Sequence, residues 1–253
     1  MSGRLSGTVA LVTGASSGIG AATGRALAAE GADVALVARR AHRLEELAGE
    51  IETEGGRALS LPYDITDREK ATEAVRRTVE TLGRLDIVVN NAGLMLLGEF
   101  AGAPASLSDR MVELNIDGLL NISRAALPHL VEAAADGCRG VADLVNVSSV
   151  AGRKAVAGGS VYALTKYGVV GLSEGLRQEL AGRQVRVTVV EPGGVDTELG
   201  DHITPEIRDR ILKEMQYTPM APSDIAEAIV FAVTRRSSVA VNELLVRPTG
   251  QLL

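Results

Sequence analysis

The chain of 253 residues contains no tryptophan, only two phenylalanines and only four tyrosines. Its core must therefore be aliphatic, and an aromatic residue placed in a chemical motif stands out against that background. The single cysteine, Cys138, excludes an intrachain disulfide and a CxxC metal or redox site. The three histidines (His42, His129 and His202) share no ligand spacing, so no metal site is expected. Positive charge is also scarce: 26 Lys and Arg against 32 Asp and Glu give a net charge of −6. That balance argues against a nucleic-acid partner or an anionic membrane surface, both of which need clustered cations. No apolar run approaches the roughly 20 residues of a membrane helix. The stretch Met1 to Ser6 has no apolar signal core. The composition therefore predicts a soluble, cytoplasmic protein.

What the sequence does contain is an alternation. Short, predominantly apolar runs that do not alternate strictly with polar residues occupy residues 9–12, 34–37, 58–61, 85–89, 142–147, 185–190 and 244–246. Between them lie longer helical patterns at residues 21–30, 41–54, 67–82, 108–134, 161–181 and 224–233. A strand apolar on both faces is covered on both faces, which is the condition of a parallel sheet. Strand and helix alternating along the whole length predict an α/β, doubly wound (Rossmann) seven-stranded parallel sheet flanked by helices on both faces. No linker divides the chain, so residues 1–253 read as one domain. Ligands in such sheets lie at the carboxyl ends of the strands, so the residues following each apolar run are the candidates for function.

The first run leads directly into Thr13-Gly14-Ala15-Ser16-Ser17-Gly18-Ile19-Gly20 and then a helix. Gly14 permits the tight turn, Gly18 lets backbone approach a pyrophosphate, and Gly20 allows close helix packing. The helix N-terminus beyond them suits phosphate. The Lys-Ser/Thr of a P-loop is absent. After the second run, where an NAD-binding fold places an acid against the ribose 2′-hydroxyl, the sequence has Ala38-Arg39-Arg40. Two guanidinium groups suit a 2′-phosphate, and Ser16 can add a hydroxyl. The expected cofactor is NADP(H).

Tyr162 and Lys166 are four residues apart in a predicted helix and so share a face. A phenol titrates near 10, too high for acid–base work at neutral pH, and a neighbouring cation lowers that value. Ser149 ends the fifth run, thirteen residues before Tyr162, with a small glycine-containing loop between them.

With these motifs in order, the chain resembles the single-domain short-chain dehydrogenase/reductases, from about Leu5 to Gly250. The matched positions are Thr13 to Gly20, Asp64, Asn90-Asn91-Ala92-Gly93, Asn115, Ser149, Tyr162, Lys166 and Pro192-Gly193. The resemblance implies that Tyr162 exchanges a proton with the substrate oxygen and that Ser149 holds this oxygen. It implies that Lys166 binds the nicotinamide ribose and lowers the Tyr162 pKa, and that Asn115 anchors a water leading from Lys166 to solvent. Asp64 and Ile65 would meet the adenine, while Asn91, Ala92 and Gly93 would line the adenosine side. Ser17 and Ile19 belong to the phosphate loop. Val195 and Thr197, beyond Pro192-Gly193, would hold the carboxamide.

The implied activity is NADPH-dependent reduction of an aldehyde or ketone to an alcohol, reversibly, by a homotetramer. Several stretches are similar to NADP-dependent 3-hydroxy acid or serine dehydrogenases and, most closely, to clavulanic acid dehydrogenases. They include residues 36–40, 95–98, 196–199 and 242–249. This similarity implies a role in secondary metabolism, such as antibiotic biosynthesis. A substrate lid is expected at about residues 198–222, where Met215, Tyr217 and Met220 offer an adaptable wall, with Met95-Leu96-Leu97 opposite. A non-catalytic NADP-binding regulator is the contrasting reading; retention of both Tyr162 and Lys166 speaks against it.

Overall fold

The computed structural model describes residues 3–136, 139–203, 207, 209 and 216–252. Cys138, Met215 and much of the expected lid lie outside the described residues. Seven strands form one sheet: β1 Val9–Thr13, β2 Asp33–Val37, β3 Ala58–Leu61, β4 Ile87–Asn90, β5 Ala142–Val147, β6 Val185–Pro192 and β7 Glu243–Val246. They are parallel and run in the order β3-β2-β1-β4-β5-β6-β7. The order reverses between β1 and β4, and that switch point opens a crevice at the carboxyl edge.

Every residue of β1, β4, β5 and β6 is buried, which accounts for their predominantly apolar sequence. Helices α1 (Gly18–Ala29), α2 (Ala41–Thr53) and α7 (Pro222–Val233) cover one face. There Leu27, Leu44 and Ile225 close on Val12, Leu36, Val89 and Val145. Helices α3 (Arg68–Leu82) and α5 (Leu119–Asp136) cover the other. There Ala74, Ile122 and Leu130 close on Leu11, Val37, Val88 and Leu144. Helix α6 (Ser160–Leu180) extends that second layer and carries Tyr162 and Lys166.

Two elements differ from the sequence reading. Helix α1 begins at Gly18, not at residue 21, so the last two glycines of the loop are already helical. The continuous helix expected over 108–134 is divided into α4 (Ala105–Val112), a π-helical stretch Glu113–Gly118, and α5. A π turn adds one residue without altering the apolar pattern on either side, and it sits where Asn115 must turn into the site.

Polar groups mark both edges of the sheet. At the amino edge, buried Asp86 accepts from the Val9 amide at 2.9 Å. Asp143 on β5 there accepts from Arg186 on β6 at 2.8 Å and from Arg139 at 2.7 Å. Toward the carboxyl edge, Asn90 Nδ2 donates to Asn146 Oδ1 at 2.9 Å and to Ser123 at 3.0 Å. Asn146 Nδ2 donates in turn to Ser173 on α6 at 3.0 Å. This buried ladder fixes β4 and β5 to α5 and α6 beneath the loops that carry the site, with the Asn90 side-chain oxygen left buried and without a partner among the described residues.

Candidate active site

The glycine loop is held in a form that side chains resist. Gly14 has φ +66° and Gly18 φ +53°, both in the left-handed region. A Cβ on Gly14 would lie 2.8 Å from the Ala92 Cα, and one on Gly20 2.3 Å from the Gly14 carbonyl oxygen. Ser17 precedes α1 in extended conformation and makes no side-chain cap, so the first amides of α1 lack that partner. A glycine cradle ending on an uncapped helix N-terminus fits a dinucleotide pyrophosphate.

At the end of β2 the two arginines separate. Arg40, the residue preceding α2, donates to the Ser16 hydroxyl from Nε at 3.1 Å and from Nη2 at 3.0 Å. It also donates to the Ser17 hydroxyl at 2.7 Å. Its Nη1 pairs with Glu198 at 2.8 Å, and Arg43 approaches the same carboxylate at 3.7 Å. Arg40 and the Ser17 hydroxyl hold the Glu198 carboxyl below the usual carboxylate range. Arg39 is largely exposed, with a loose contact of 3.8 Å to Asp64. The pair expected from sequence thus resolves into one residue built into the loop, Arg40, and one on its rim, Arg39.

Tyr162, Ser149 and Lys166 come together at the carboxyl ends of β5 and α6's first turns. Burial pushes the Tyr162 phenol up to about 12, and a hydrogen bond with Ser149 opposes that rise. Ser149 Oγ also accepts from the Ala151 amide at 3.1 Å, which sets the hydroxyl at the start of the following turn. Burial lowers Lys166 to about 8, and its Nζ donates to the Val147 carbonyl at 2.9 Å. The ammonium lies 5.7 Å from the centre of the Tyr162 ring. The resemblance implies that Lys166 lowers the phenol; here burial and the Ser149 hydrogen bond set it. The amine is directed to the Val147 carbonyl at the end of β5.

Asn115 is buried in the π stretch and clamps Leu94 from both sides. Its Oδ1 accepts from the Leu94 amide at 2.7 Å, and its Nδ2 donates to the Leu94 carbonyl at 2.9 Å and to Thr165 at 3.1 Å. Thr165 Oγ1 donates to the Tyr162 carbonyl at 2.7 Å. The segment after Gly93 is thereby tied to the turn of α6 that carries the phenol and the amine. A Cβ on Gly93 would stand 3.5 Å from Asn115 Oδ1 and 3.6 Å from Lys166 Nζ. Asn91 Nδ2 donates to the Thr13 carbonyl at 3.0 Å, and Thr13 Oγ1 accepts from the Ala92 amide at 3.0 Å.

Asp64 is turned back on its own chain, accepting from the Thr66 amide at 3.0 Å and the Thr66 hydroxyl at 2.8 Å. Ile65, expected beside Asp64 at the adenine, is the next residue. It is buried in the second core, and a Cβ on Gly118 would be 3.0 Å from it. Pro192 ends β6, Val195 bridges to Met220, and Thr197 caps the turn Glu198–His202. A Cβ on Gly18 would stand 3.0 Å from Thr197 Cγ2, so this segment lies across the glycine loop. Sequence reading missed three contributors. They are Arg43 and Glu198, named above, and Gln251, whose Oε1 accepts from the Gly194 amide at 2.9 Å. Tyr217, assigned to the lid wall, packs its ring on Gly194, where a Cβ would be 2.7 Å away.

Among the described residues no group of His, Cys, Asp and Glu could hold a metal ion, and no helix is long and apolar enough to cross a membrane. The family model for short chain dehydrogenase matches residues 8–208. The chain is 38% identical over 250 residues to a glycine betaine reductase of Emericella nidulans, covering 98% of this chain and 19% of that protein. It spans about a fifth of that relative's length. It is 35% identical over 244 residues to an uncharacterised oxidoreductase of Staphylococcus aureus strain USA300, covering 96% of this chain and 98% of the other. Among solved structures, the closed form of serine dehydrogenase with NADP+ superposes with a TM-score of 0.87 at 33% identity, covering 97% of both chains. The 3-ketoacyl-(acyl-carrier-protein) reductase of Brucella melitensis with NADH gives 0.84 at 31% identity, covering 96% of this chain and 98% of that one. A parallel sheet with a glycine cradle at its switch point, a Ser149-Tyr162-Lys166 cluster and these relatives converge: the chain is an oxidoreductase of the short-chain dehydrogenase/reductase family.

Proposed function

We propose that this chain is an NADP(H)-dependent carbonyl reductase that converts an aldehyde or ketone to its alcohol and runs the reverse oxidation. The observation that carries the reading is the cluster of buried Tyr162 and Lys166 with half-buried Ser149 beside the glycine cradle. Gly14, Gly18 and the start of α1 would hold the pyrophosphate, and Ser16, Ser17 and Arg40 the 2′-phosphate. When bound, NADPH supplies the hydride to the carbonyl carbon. The phenol of Tyr162 keeps its proton at neutral pH and transfers it to the carbonyl oxygen as charge develops there. Ser149 holds that oxygen by hydrogen bond, which fixes the acceptor before transfer. Lys166, with its amine lowered to about 8, is poised to relay charge and proton at the same edge. Asn115 keeps Leu94 and the Tyr162 turn in register.

The wall next to the phenol selects among substrates. Leu94, Leu96 and Met111 are buried against Tyr162, with Met95, Leu97 and Val161 packed around them. Arg153, on the loop after Ser149, is paired with Glu191 at 2.7 Å and with Glu243. An apolar wall and a committed cation favour a neutral, apolar carbonyl over a hydroxy acid or serine. Leu164, 66% exposed on α6, fits association of copies into the homotetramer that the resemblance implies. The test is a panel of apolar aldehydes, ketones and 3-hydroxy acids, scored by NADPH consumption or NADP+ reduction. Apolar carbonyls should turn over, and Tyr162→Phe should abolish that turnover while NADPH affinity stays within about twofold. Sustained turnover in Tyr162→Phe, or activity confined to hydroxy acids, would overturn the reading.

A further inference from the structure

We propose that Glu198 is a built-in competitor for the 2′-phosphate: its carboxylate occupies the arginine and serine donors that the phosphate needs and must leave before NADP(H) seats. The inference rests on the NADP(H) reading above. Arg40 has no idle donor edge toward the loop, since Nε and Nη2 go to Ser16 and Ser17 and Nη1 goes to Glu198 at 2.8 Å. Arg43, the other cation at the start of α2, reaches the second carboxylate oxygen at 3.7 Å. The Ser17 hydroxyl also bonds this carboxylate. One carboxylate thus gathers two guanidinium groups and a hydroxyl, a donor set suited to a phosphate monoester.

Glu198 reaches this position from the far side of the glycine loop. It opens the turn Glu198–His202, whose cap Thr197 accepts from the Leu199 amide at 3.3 Å. A phosphate monoester carries about −1.5 to −2 charge at neutral pH against −1 for the carboxylate, so it displaces Glu198 from shared donors. The displacement reduces apparent affinity by the fraction of molecules in which the donors are already free. A cofactor without the 2′-phosphate does not call on these donors and does not meet this resistance. Glu198 is therefore a specificity-determining residue that acts against the phosphorylated cofactor, and the same pairing anchors its turn to α2 until the phosphate arrives.

The experiment is calorimetric titration of the full chain and of Glu198→Gln with adenosine 2′,5′-bisphosphate and with 5′-AMP. Glu198→Ala serves as a second variant, and thermal melting of each checks folding. Both variants should bind the bisphosphate about three- to tenfold more tightly, with 5′-AMP affinity changed by less than about twofold. Unchanged or weaker bisphosphate binding would show that Glu198 merely orders the arginines and would overturn the proposal. Equal tightening of both ligands would reduce it to general charge relief and would also overturn it. The NADP(H) reading fails on a different result, a wild-type chain that binds bisphosphate no better than 5′-AMP.

Discussion

The state of the Tyr162 phenol in the protein alone can be read directly, because the chain has no tryptophan and only four tyrosines to absorb in the near ultraviolet. Burial raises this phenol from 10 to about 12. Two pH units correspond to about 3 kcal/mol against forming the phenolate. At pH 10 an ordinary tyrosine is about half ionised, whereas a phenol titrating near 12 is about 1% ionised. The assay is the tyrosinate absorbance of wild type minus that of Tyr162→Phe, followed from pH 7 to 10. The difference should stay below about a tenth of one tyrosine at pH 10 and reach about half of one tyrosine when both proteins are unfolded at the same pH. Ser149→Ala should leave the phenol at least as hard to ionise, since the bond it removes opposes the rise. A difference near half a tyrosine at pH 10 would mean that Lys166 offsets the desolvation after all, and the reasoning on burial would be wrong.

Lys166→Met should abolish turnover yet raise stability at neutral pH. The depressed Lys166 disfavours the fold most below pH 8, and this penalty fades as pH rises toward 10.5, so its removal helps most at and below neutral pH. The depression corresponds to about 3 kcal/mol, of which about 1–3 is lost in orphaning the Val147 carbonyl, leaving a gain of up to several degrees in Tm by calorimetry at pH 7. A destabilised Lys166→Met at pH 7 would contradict this. Arg40→Ala should weaken NADPH binding about 10- to 100-fold and NADH binding only slightly, measured by cofactor titration. Gly14→Ala should cost about 2–5 kcal/mol, from a left-handed φ and a backbone clash. Gly49→Ala, in an exposed part of α2 with open space around its Cβ, should stabilise by about 1 kcal/mol; urea unfolding of the two compares them.

The sheet was legible because β1, β4, β5 and β6 are buried on both faces, which leaves a mark in composition that needs no partner to read. The glycine loop and the Tyr162-Lys166 spacing were legible for the same local reason. The π stretch at Glu113–Gly118 left no such mark, because one inserted residue lets the apolar stripe resume on the next turn. Arg39 and Arg40 are equivalent as letters; only the position of Arg40 at the start of α2, facing Ser16 and Ser17, separates them. Glu198 and Gln251 were invisible because their partners stand far away in sequence, on α2 and after β6.

The strand order has a consequence for how the molecule is made. β1 pairs with β2 on one side and on the other with β4, whose partner residues lie 77 positions later. Until β4 is synthesised, the inner edge of β1 offers unpaired amides and carbonyls, an invitation to mispairing. Long-range parallel pairing of this kind is intrinsically slow. The chemistry waits longer still, because the residues that would form one catalytic pocket extend from Gly14 to Thr197, with Gln251 fastening the last loop. A growing chain on the ribosome therefore spends most of its synthesis without a cofactor site. Ligand added during refolding should consequently rescue yield only by stabilising finished molecules, and should not speed the early docking of β1 to β2.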